Sequence, residues 1–307
     1  MRRFAPLLIL LLILTSCGGK PAGTPFDPTQ GKSDPVILAS TTFLADIARN
    51  VAGDRLHVDS IFPIGVDPHS FQPVPQDVVK MSEADLLIFV GAGYETFERI
   101  LVENSGGKGI VIEASTGLQH RPAEGVEGSR TEALDPHFWL DPNHVIVFVE
   151  NIREGLTHFD PDGAAVYQSN ADAYVGELKN LDAWINERVS HIPPERKLLI
   201  TNHEALGYFA DRYGFTIVGT VIESFSTDAS PSAHQLAALI DQINASGAPA
   251  IFLDASDNPT LPQQIADETN VIVVTDLHLE SLTDGAPAAT YIDMMKHNVT
   301  QIVNALQ

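Results

Sequence analysis

Residues 36–54 read VILASTTFLADIARNVAGD, and this stretch decides the fold. The apolar run at 36–40 predicts a buried strand, and apolar residues at helical spacing then continue to Gly53, a residue type that commonly ends helices. Residues 198–214, LLITNHEALGYFADRYG, repeat the arrangement of strand, turn, helix and glycine. Alternation of strands and helices is typical of parallel α/β proteins. The repeat indicates two similar lobes, with generic α/β recurrence as the alternative.

Eight short apolar runs predict eight strands, four in each half of the chain. We therefore expect an α/β protein with two similar lobes, at residues 35–160 and 192–307. Each lobe should contain a four-stranded, mainly parallel sheet flanked by helices. The predicted strands lie at 36–40, 56–62, 85–90 and 109–113, and at 197–201, 215–221, 249–254 and 271–275.

A segment with a different period lies between the two halves. Asp160 is suited to cap a helix that has Pro161 at its first position. Apolar residues then recur at spacings of three and four, which predicts one apolar helix face within residues 161–191. A helix of that length spans about 45 Å, enough to run along both lobes and connect them. The alternative is a long helix that belongs to one domain. The face consists of Tyr167, Ala171, Tyr174, Leu178, Leu181 and Ile185.

The N-terminal segment has the pattern of an export signal. Two arginines precede an apolar run at 4–14, which is too short for a comfortable membrane span. The run ends in LTSC, which resembles a bacterial lipobox, and Cys17 is the only cysteine of the chain. We expect residues 1–16 to be a signal peptide, Cys17 to carry a lipid, and residues 17–34 to form a flexible tether. A plain signal peptide with an incidental cysteine is the alternative.

Composition excludes several classes of protein. The 307 residues carry a formal net charge of −22 without a block of basic residues, which argues against nucleic acid as a partner. A single cysteine excludes an intramolecular disulfide and a thiolate zinc site. The acidic balance suits a soluble protein with a cationic ligand, and we expect a monomer.

At least three of four candidate ligand groups lie where a parallel sheet places its ligands. His203 and Asp276 follow predicted strands of the second half directly, and His69 and His137 lie in loops of the first half. Ligands of open parallel sheets bind at the carboxyl ends of the strands. We therefore expect these four side chains to converge on the cleft between the lobes. Scattered structural histidines are the alternative that spacing alone leaves open.

The two histidines of the first half share the motif Asp-Pro-His, at 67–69 and 135–137. Proline stiffens a turn and holds the histidine outside regular structure. The nearby aromatic residues Phe71, Phe138 and Trp139 could shield the site from water. Three neutral imidazoles and one carboxylate suit Zn²⁺, whereas a more oxygen-rich site would suit Mn²⁺.

Several stretches resemble the zinc- and manganese-binding solute receptors of bacterial ABC importers, over nearly the whole chain from Val36 onward. The resemblance implies one metal ion per chain, held between two lobes joined by a long helix, and delivery to a membrane permease. It implies His69, His137, His203 and Asp276 as the ligands. Histidine at the third of these ligand positions, His203, implies Zn²⁺, with Mn²⁺ or Fe²⁺ as the alternative. The stretches include VILASTTFLADIARNVAGDRLHVDSIFPIGVDPHSFQP, DPHFWLDP, TNHEALGYFADRYG and TDLHLESLTDGAPAATYIDMMKHN.

Two features depart from that family. Many zinc-specific relatives carry a His-rich loop before the second Asp-Pro-His motif. In this chain the corresponding residues 120–134 contain a single histidine, His120. Asp254 stands where relatives often have Glu-Pro, and it is a candidate acceptor for a ligand imidazole. The rival hypotheses are a surface adhesin and a metal-dependent hydrolase with Glu204 as its base. We expect the Glu204 side chain to face away from the site. The expected location is the outer face of the cell membrane or the periplasm.

Overall fold

The computed structural model describes residues 35–95, 109–121 and 134–307. The predicted signal peptide, the lipid site at Cys17 and the tether lie outside the described residues. In the three described segments, no helix is both long enough and apolar enough to cross a membrane.

Two four-stranded parallel sheets form the framework. The strand orders are β2-β1-β3-β4 and β6-β5-β7-β8, so the two sheets have the same topology. This confirms the predicted fold class and its internal repeat. The strands are β1 (Ile37–Ala39), β2 (Val58–Ser60), β3 (Leu86–Phe89), β4 (Ile110–Glu113), β5 (Leu198–Thr201), β6 (Thr216–Thr220), β7 (Ala250–Asp254) and β8 (Ile272–Leu277).

Helices flank both sheets, and the first of them shows how the sequence sets its limits. The Thr41 hydroxyl accepts a hydrogen bond from the Leu44 amide at 3.1 Å and caps the helix N-terminus. Gly53 ends the helix with φ at 58°, a region that suits glycine. The described helices are α1 (Thr42–Ala52), α2 (Pro75–Ser82), α3 (Pro142–Phe159), α4 (Ala164–Ser190), α5 (Gly207–Tyr213), α6 (Ala233–Ser246), α7 (Thr260–Thr269) and α8 (Tyr291–Leu306).

The second copy of the repeat differs from the first at its turn. The helix that follows β5 begins only at Gly207, so His203 lies in a turn and does not open a helix. The Ile222 amide donates to the Asn202 carbonyl at 2.7 Å, and the Glu204 amide donates to the Ser224 carbonyl at 2.9 Å. These hydrogen bonds connect the turn to the segment after β6, and the helix begins only after the turn, at Gly207.

The connector α4 is 27 residues long and therefore spans about 40 Å. It packs against α1, α3 and α8, so it contacts helices from both halves of the chain. All six positions predicted for its apolar face are buried, and Val189 extends the face by one further turn.

Two carboxylates, Asp160 and Asp182, fasten α4 to both halves. At its start, Asp160 accepts hydrogen bonds from the Arg55 guanidinium and from the Tyr167 hydroxyl. Near its middle, Asp182 accepts from Arg212 of α5, with the shorter contact at 2.7 Å. Bidentate pairing of arginine with a carboxylate fixes both distance and angle, so the helix holds a defined position against each half.

Replacing Asp160 with Asn should lower the free energy of unfolding by about 1–3 kcal/mol at neutral pH, because the Arg55 guanidinium and the Tyr167 hydroxyl lose their charged acceptor. The hydrogen bond from Arg55 lowers the pKa of Asp160 against the opposing effect of burial, and Tyr167 lowers it further. The stabilisation is therefore present above about pH 4 and is lost as the pH falls through the lowered pKa.

Urea unfolding at several pH values measures this effect. The difference between wild type and Asp160→Asn should shrink below about pH 4. The matched control is Asp162→Asn, since Asp162 is exposed on the same turn. Equal stability of the two variants at neutral pH would contradict the assigned role of Asp160.

Candidate metal centre

Three histidines and one glutamate meet in the cleft between the two sheets. His69, His137, His203 and Glu280 are all buried, and each offers one ligand atom within 4.8 Å of the others. Glu280 Oε1 lies 2.8 Å from His69 Nε2, 3.3 Å from His137 Nε2 and 3.4 Å from His203 Nε2. His137 Nε2 lies 3.4 Å from His69 Nε2. The structure thus brings together three of the four residues predicted from the sequence.

Asp276, the fourth predicted residue, lies outside this cluster, and the prediction that it joins the histidines is corrected by the geometry. Strand β8 continues to Leu277, so Asp276 is still part of the strand when the chain reaches the sheet edge. Its side chain is 55% exposed and accepts a hydrogen bond from Gln301 of α8 at 2.7 Å. The carboxylate that faces the histidines comes from Glu280, in the loop after the strand.

The sequence carries one signal for Glu280 that the strand-end argument missed. Glu280 is the single charged residue between Leu279 and Leu282, and both leucines are buried. A carboxylate among buried leucines is unusual unless it is paired or binds a metal. That pattern favours Glu280 over the exposed Asp276.

The Asp-Pro-His motifs act as local turns that aim the histidines. In the first motif, Asp67 Oδ1 accepts a hydrogen bond from the His69 amide at 2.9 Å. In the second, Asp135 Oδ1 accepts one from the His137 amide, also at 2.9 Å. Asp135 Oδ1 also lies 2.9 Å from His137 Nδ1. A carboxylate at Nδ1 accepts a hydrogen bond from the Nδ1 N–H, and in the neutral imidazole this tautomer leaves the Nε2 lone pair free for a metal.

Hydrogen bonds from both halves of the chain hold the loop that carries Glu280. The Leu279 amide donates to Asp254 Oδ2 at 2.6 Å, and the Leu279 carbonyl accepts from Trp139 Nε1 at 2.6 Å. The Leu282 amide donates to the Thr42 hydroxyl at 2.8 Å. Asp254 therefore supports the Glu280 loop, in place of the imidazole contact expected from the sequence.

The charges of the four groups depend strongly on one another. Burial raises the pKa of Glu280, but the charge of His69 and the close contacts with all three imidazoles hold that pKa well below its usual range. Burial lowers the pKa of His137, but hydrogen bonds to Asp135 and Glu280 outweigh it and raise that pKa to about 9. The cluster thus presents an ionised carboxylate to the imidazoles, which is the form that binds a cation.

Aromatic rings enclose the imidazoles. Tyr94 contacts the edge of His69 with 5.4 Å between ring centroids, and Trp139 lies 5.3 Å from His137. Trp139 is one of the three aromatic residues expected at the site. The other two lie one layer further out, where Phe71 packs on Phe62 and Phe138 packs on Tyr208.

Glu204, the base of the rival hydrolase hypothesis, is not a member of the four-residue cluster. It lines a separate cavity of about 470 Å³, together with Thr220 and Glu223. This position agrees with the expectation that it faces away from the neighbouring His203.

The spacing of the four atoms fits a small transition-metal ion. Ligands about 2.1 Å from a tetrahedral metal lie about 3.4 Å from one another. Three of the four separations given above are 3.3 or 3.4 Å. In addition, His203 Nε2 is buried and makes no hydrogen bond within the described part of the chain. A cation bound among these atoms would satisfy that nitrogen.

Comparison with known proteins places the chain in a family. Residues 37–305 match the family described as ZnuA, zinc-uptake complex component A, periplasmic. The manganese-binding lipoprotein MntA of Halalkalibacterium halodurans is 35% identical over 98% of this chain and 96% of its own length. The manganese ABC transporter substrate-binding lipoprotein PsaA of Streptococcus pneumoniae is 31% identical over 100% of this chain and 99% of its own.

Solved structures show the same fold. The periplasmic zinc-binding protein TroA from Treponema pallidum superposes with a TM-score of 0.81 at 28% identity, over 89% of this chain and 99% of that one. A manganese-bound periplasmic metal-binding protein from Candidatus Liberibacter asiaticus gives a TM-score of 0.78 at 27% identity, over 89% and 100%. The family consists of substrate-binding receptors for ABC transporters and not of enzymes, which argues against the hydrolase hypothesis. The chain belongs to the ZnuA family of metal-binding substrate receptors of ABC transporters.

Proposed function

We propose that this protein captures one divalent transition-metal ion through His69, His137, His203 and Glu280 and delivers it to the permease of an ABC importer. The observation that carries the proposal is the buried cluster of four ligand atoms within 4.8 Å of one another. Four protein ligands suit tight capture, because they leave no open position of the kind that catalytic zinc keeps for water.

Manganese is at least as strong a candidate as zinc for the transported ion. The names of MntA and PsaA, both similar along their whole length, favour Mn²⁺. The three imidazoles favour Zn²⁺, since nitrogen ligands bind it more tightly than Mn²⁺. Glu280 can supply one or two oxygens and so can serve either ion. The predicted preference for zinc stays a prediction, with Mn²⁺ proposed beside it.

We also propose that a lipid on Cys17 anchors the protein at the outer face of the cell membrane. The support is the lipobox-like LTSC sequence and the lipoprotein names of several relatives. An anchored receptor stays close to its permease, which raises the effective concentration of the loaded protein at the transporter. An adhesive role could coexist with metal capture.

Replacing Glu280 with Ala should weaken Zn²⁺ and Mn²⁺ binding by more than about 100-fold, beyond the loss typical of residues outside the ligand shell. The matched variant is Asp276→Ala, which removes a carboxylate four residues away and should change affinity by less than about 3-fold. Competition with a chromogenic chelator measures both constants. A large loss in Asp276→Ala with little loss in Glu280→Ala would refute the ligand assignment.

Competitive titration of metal-free protein should give tighter binding of Zn²⁺ than of Mn²⁺, by at least about tenfold, because of the intrinsic order of metal affinities. Either ion at about 100 times its Kd should add about 2.7 kcal/mol to the free energy of unfolding. Cellular metal content in a strain that lacks the protein then identifies the transported ion. Absence of binding by both ions would overturn the proposed function.

A further inference from the structure

Arg121 lies beside the carboxylate that orients a histidine of the metal site. Asp135 is fully buried, and its Oδ1 accepts from the His137 amide and from the ring nitrogen Nδ1. Its other oxygen, Oδ2, accepts no hydrogen bond within the described residues and lies 3.6 Å from Arg121 Nη1. A buried carboxylate is costly without an opposing charge, and the Arg121 guanidinium supplies one.

The other half of the chain fixes Arg121 in place. Arg121 Nε donates to Asp211 Oδ2 at 2.5 Å, and its amide donates to the Tyr208 hydroxyl at 3.0 Å. The Tyr208 hydroxyl in turn donates to the Asp135 carbonyl at 2.9 Å. Asp211 and Tyr208 both belong to α5, which follows β5 in the second sheet. Arg121 therefore connects Asp135, which orients His137, to helix α5 on the other side of the cleft.

The first residue of α5 leaves room for this contact. A Cβ atom on Gly207 would lie 2.0 Å from Arg121 Nη1 and 2.7 Å from Asp135 Oδ2. Any larger residue would displace the guanidinium or the carboxylate. Glycine at this position thus allows α5 to approach the pair directly.

We propose that Arg121 is a positioning residue for metal binding, acting through Asp135 on His137. The inference rests on the proposed function. The guanidinium keeps the Asp135 carboxylate turned toward His137 Nδ1, and so keeps Nε2 aimed at the metal. Because α5 holds Arg121, this support is complete only when the two halves of the chain are together.

A purely structural ion pair is the competing explanation. Asp211 is 62% exposed, and exposed pairs contribute little to stability. Such a pair would leave metal affinity unchanged and would not couple to Asp135. Coupling in metal affinity therefore separates the two explanations.

The experiment measures Zn²⁺ affinity by chelator competition for wild type, Arg121→Gln, Arg121→Lys, Asp135→Asn and the double variant of Arg121→Gln with Asp135→Asn. The matched control is Arg153→Gln, because Arg153 is 19% exposed against 18% for Arg121 and pairs with Glu150. Circular dichroism and thermal unfolding of the metal-free proteins verify that each variant is folded.

Arg121→Gln should weaken Zn²⁺ binding about tenfold, and Asp135→Asn should weaken it about 10–100-fold. The double variant should bind Zn²⁺ with an affinity within about 3-fold of that of Asp135→Asn, because Arg121 acts through Asp135. Arg121→Lys, which keeps the charge, should recover most of the loss. Gly207→Ala displaces the guanidinium without removing it, so it should weaken binding about as much as Arg121→Gln. It is the second test if Arg121→Gln does not fold.

Two results would overturn the inference while leaving the proposed function intact. One is an affinity of Arg121→Gln and Gly207→Ala equal to that of Arg153→Gln. The other is full additivity of Arg121→Gln with Asp135→Asn. Wild-type protein that binds no Zn²⁺ would overturn the proposed function, and this inference with it.

Discussion

A buried carboxylate facing three imidazoles is the constraint on which the rest of the structure depends. Burial of an unpaired carboxylate costs several kcal/mol, so Glu280 is tolerated only while His69, His137 and His203 surround it. The three histidines come from separate segments: the loop after β2, the turn before α3 and the turn after β5. The cluster therefore forms only where segments from both halves of the chain meet.

The surrounding residues solve two physical problems, orientation and exclusion of water. Asp67 and Asp135 close local turns that aim their histidines, and Trp139 holds the loop of Glu280 while its ring covers His137. The connector α4 fixes the distance between the halves, through Asp160 at one position and Asp182 at another. A rigid frame of this kind lowers the ordering cost of binding, because the ligands are already in position.

Much of this arrangement was predictable because it follows from local rules. Period-two and period-3.6 patterns specify strands and helices, and the Asp-Pro-His turns satisfy their own backbone, so His69 and His137 could be identified from neighbours in sequence. Asp276 failed as a prediction because the length of β8 is set by pairing with β7, which shifts register between Phe252 and Asp254. Strand β8 runs two residues beyond its predicted end at residue 275. Asp276 is therefore an exposed strand residue, and Glu280 lies in the cleft.

The sequence by itself determined two parallel α/β lobes, a long helix between them and three histidines near strand ends, because each of these is encoded within a few consecutive residues. Only the tertiary structure decided which carboxylate completes the cluster and which residues support it. Glu280 contacts segments about 80 to 210 residues away in the sequence, and Arg121 contacts a segment about 90 residues away. Contacts over such separations depend on how the two sheets and α4 pack, which no local pattern encodes.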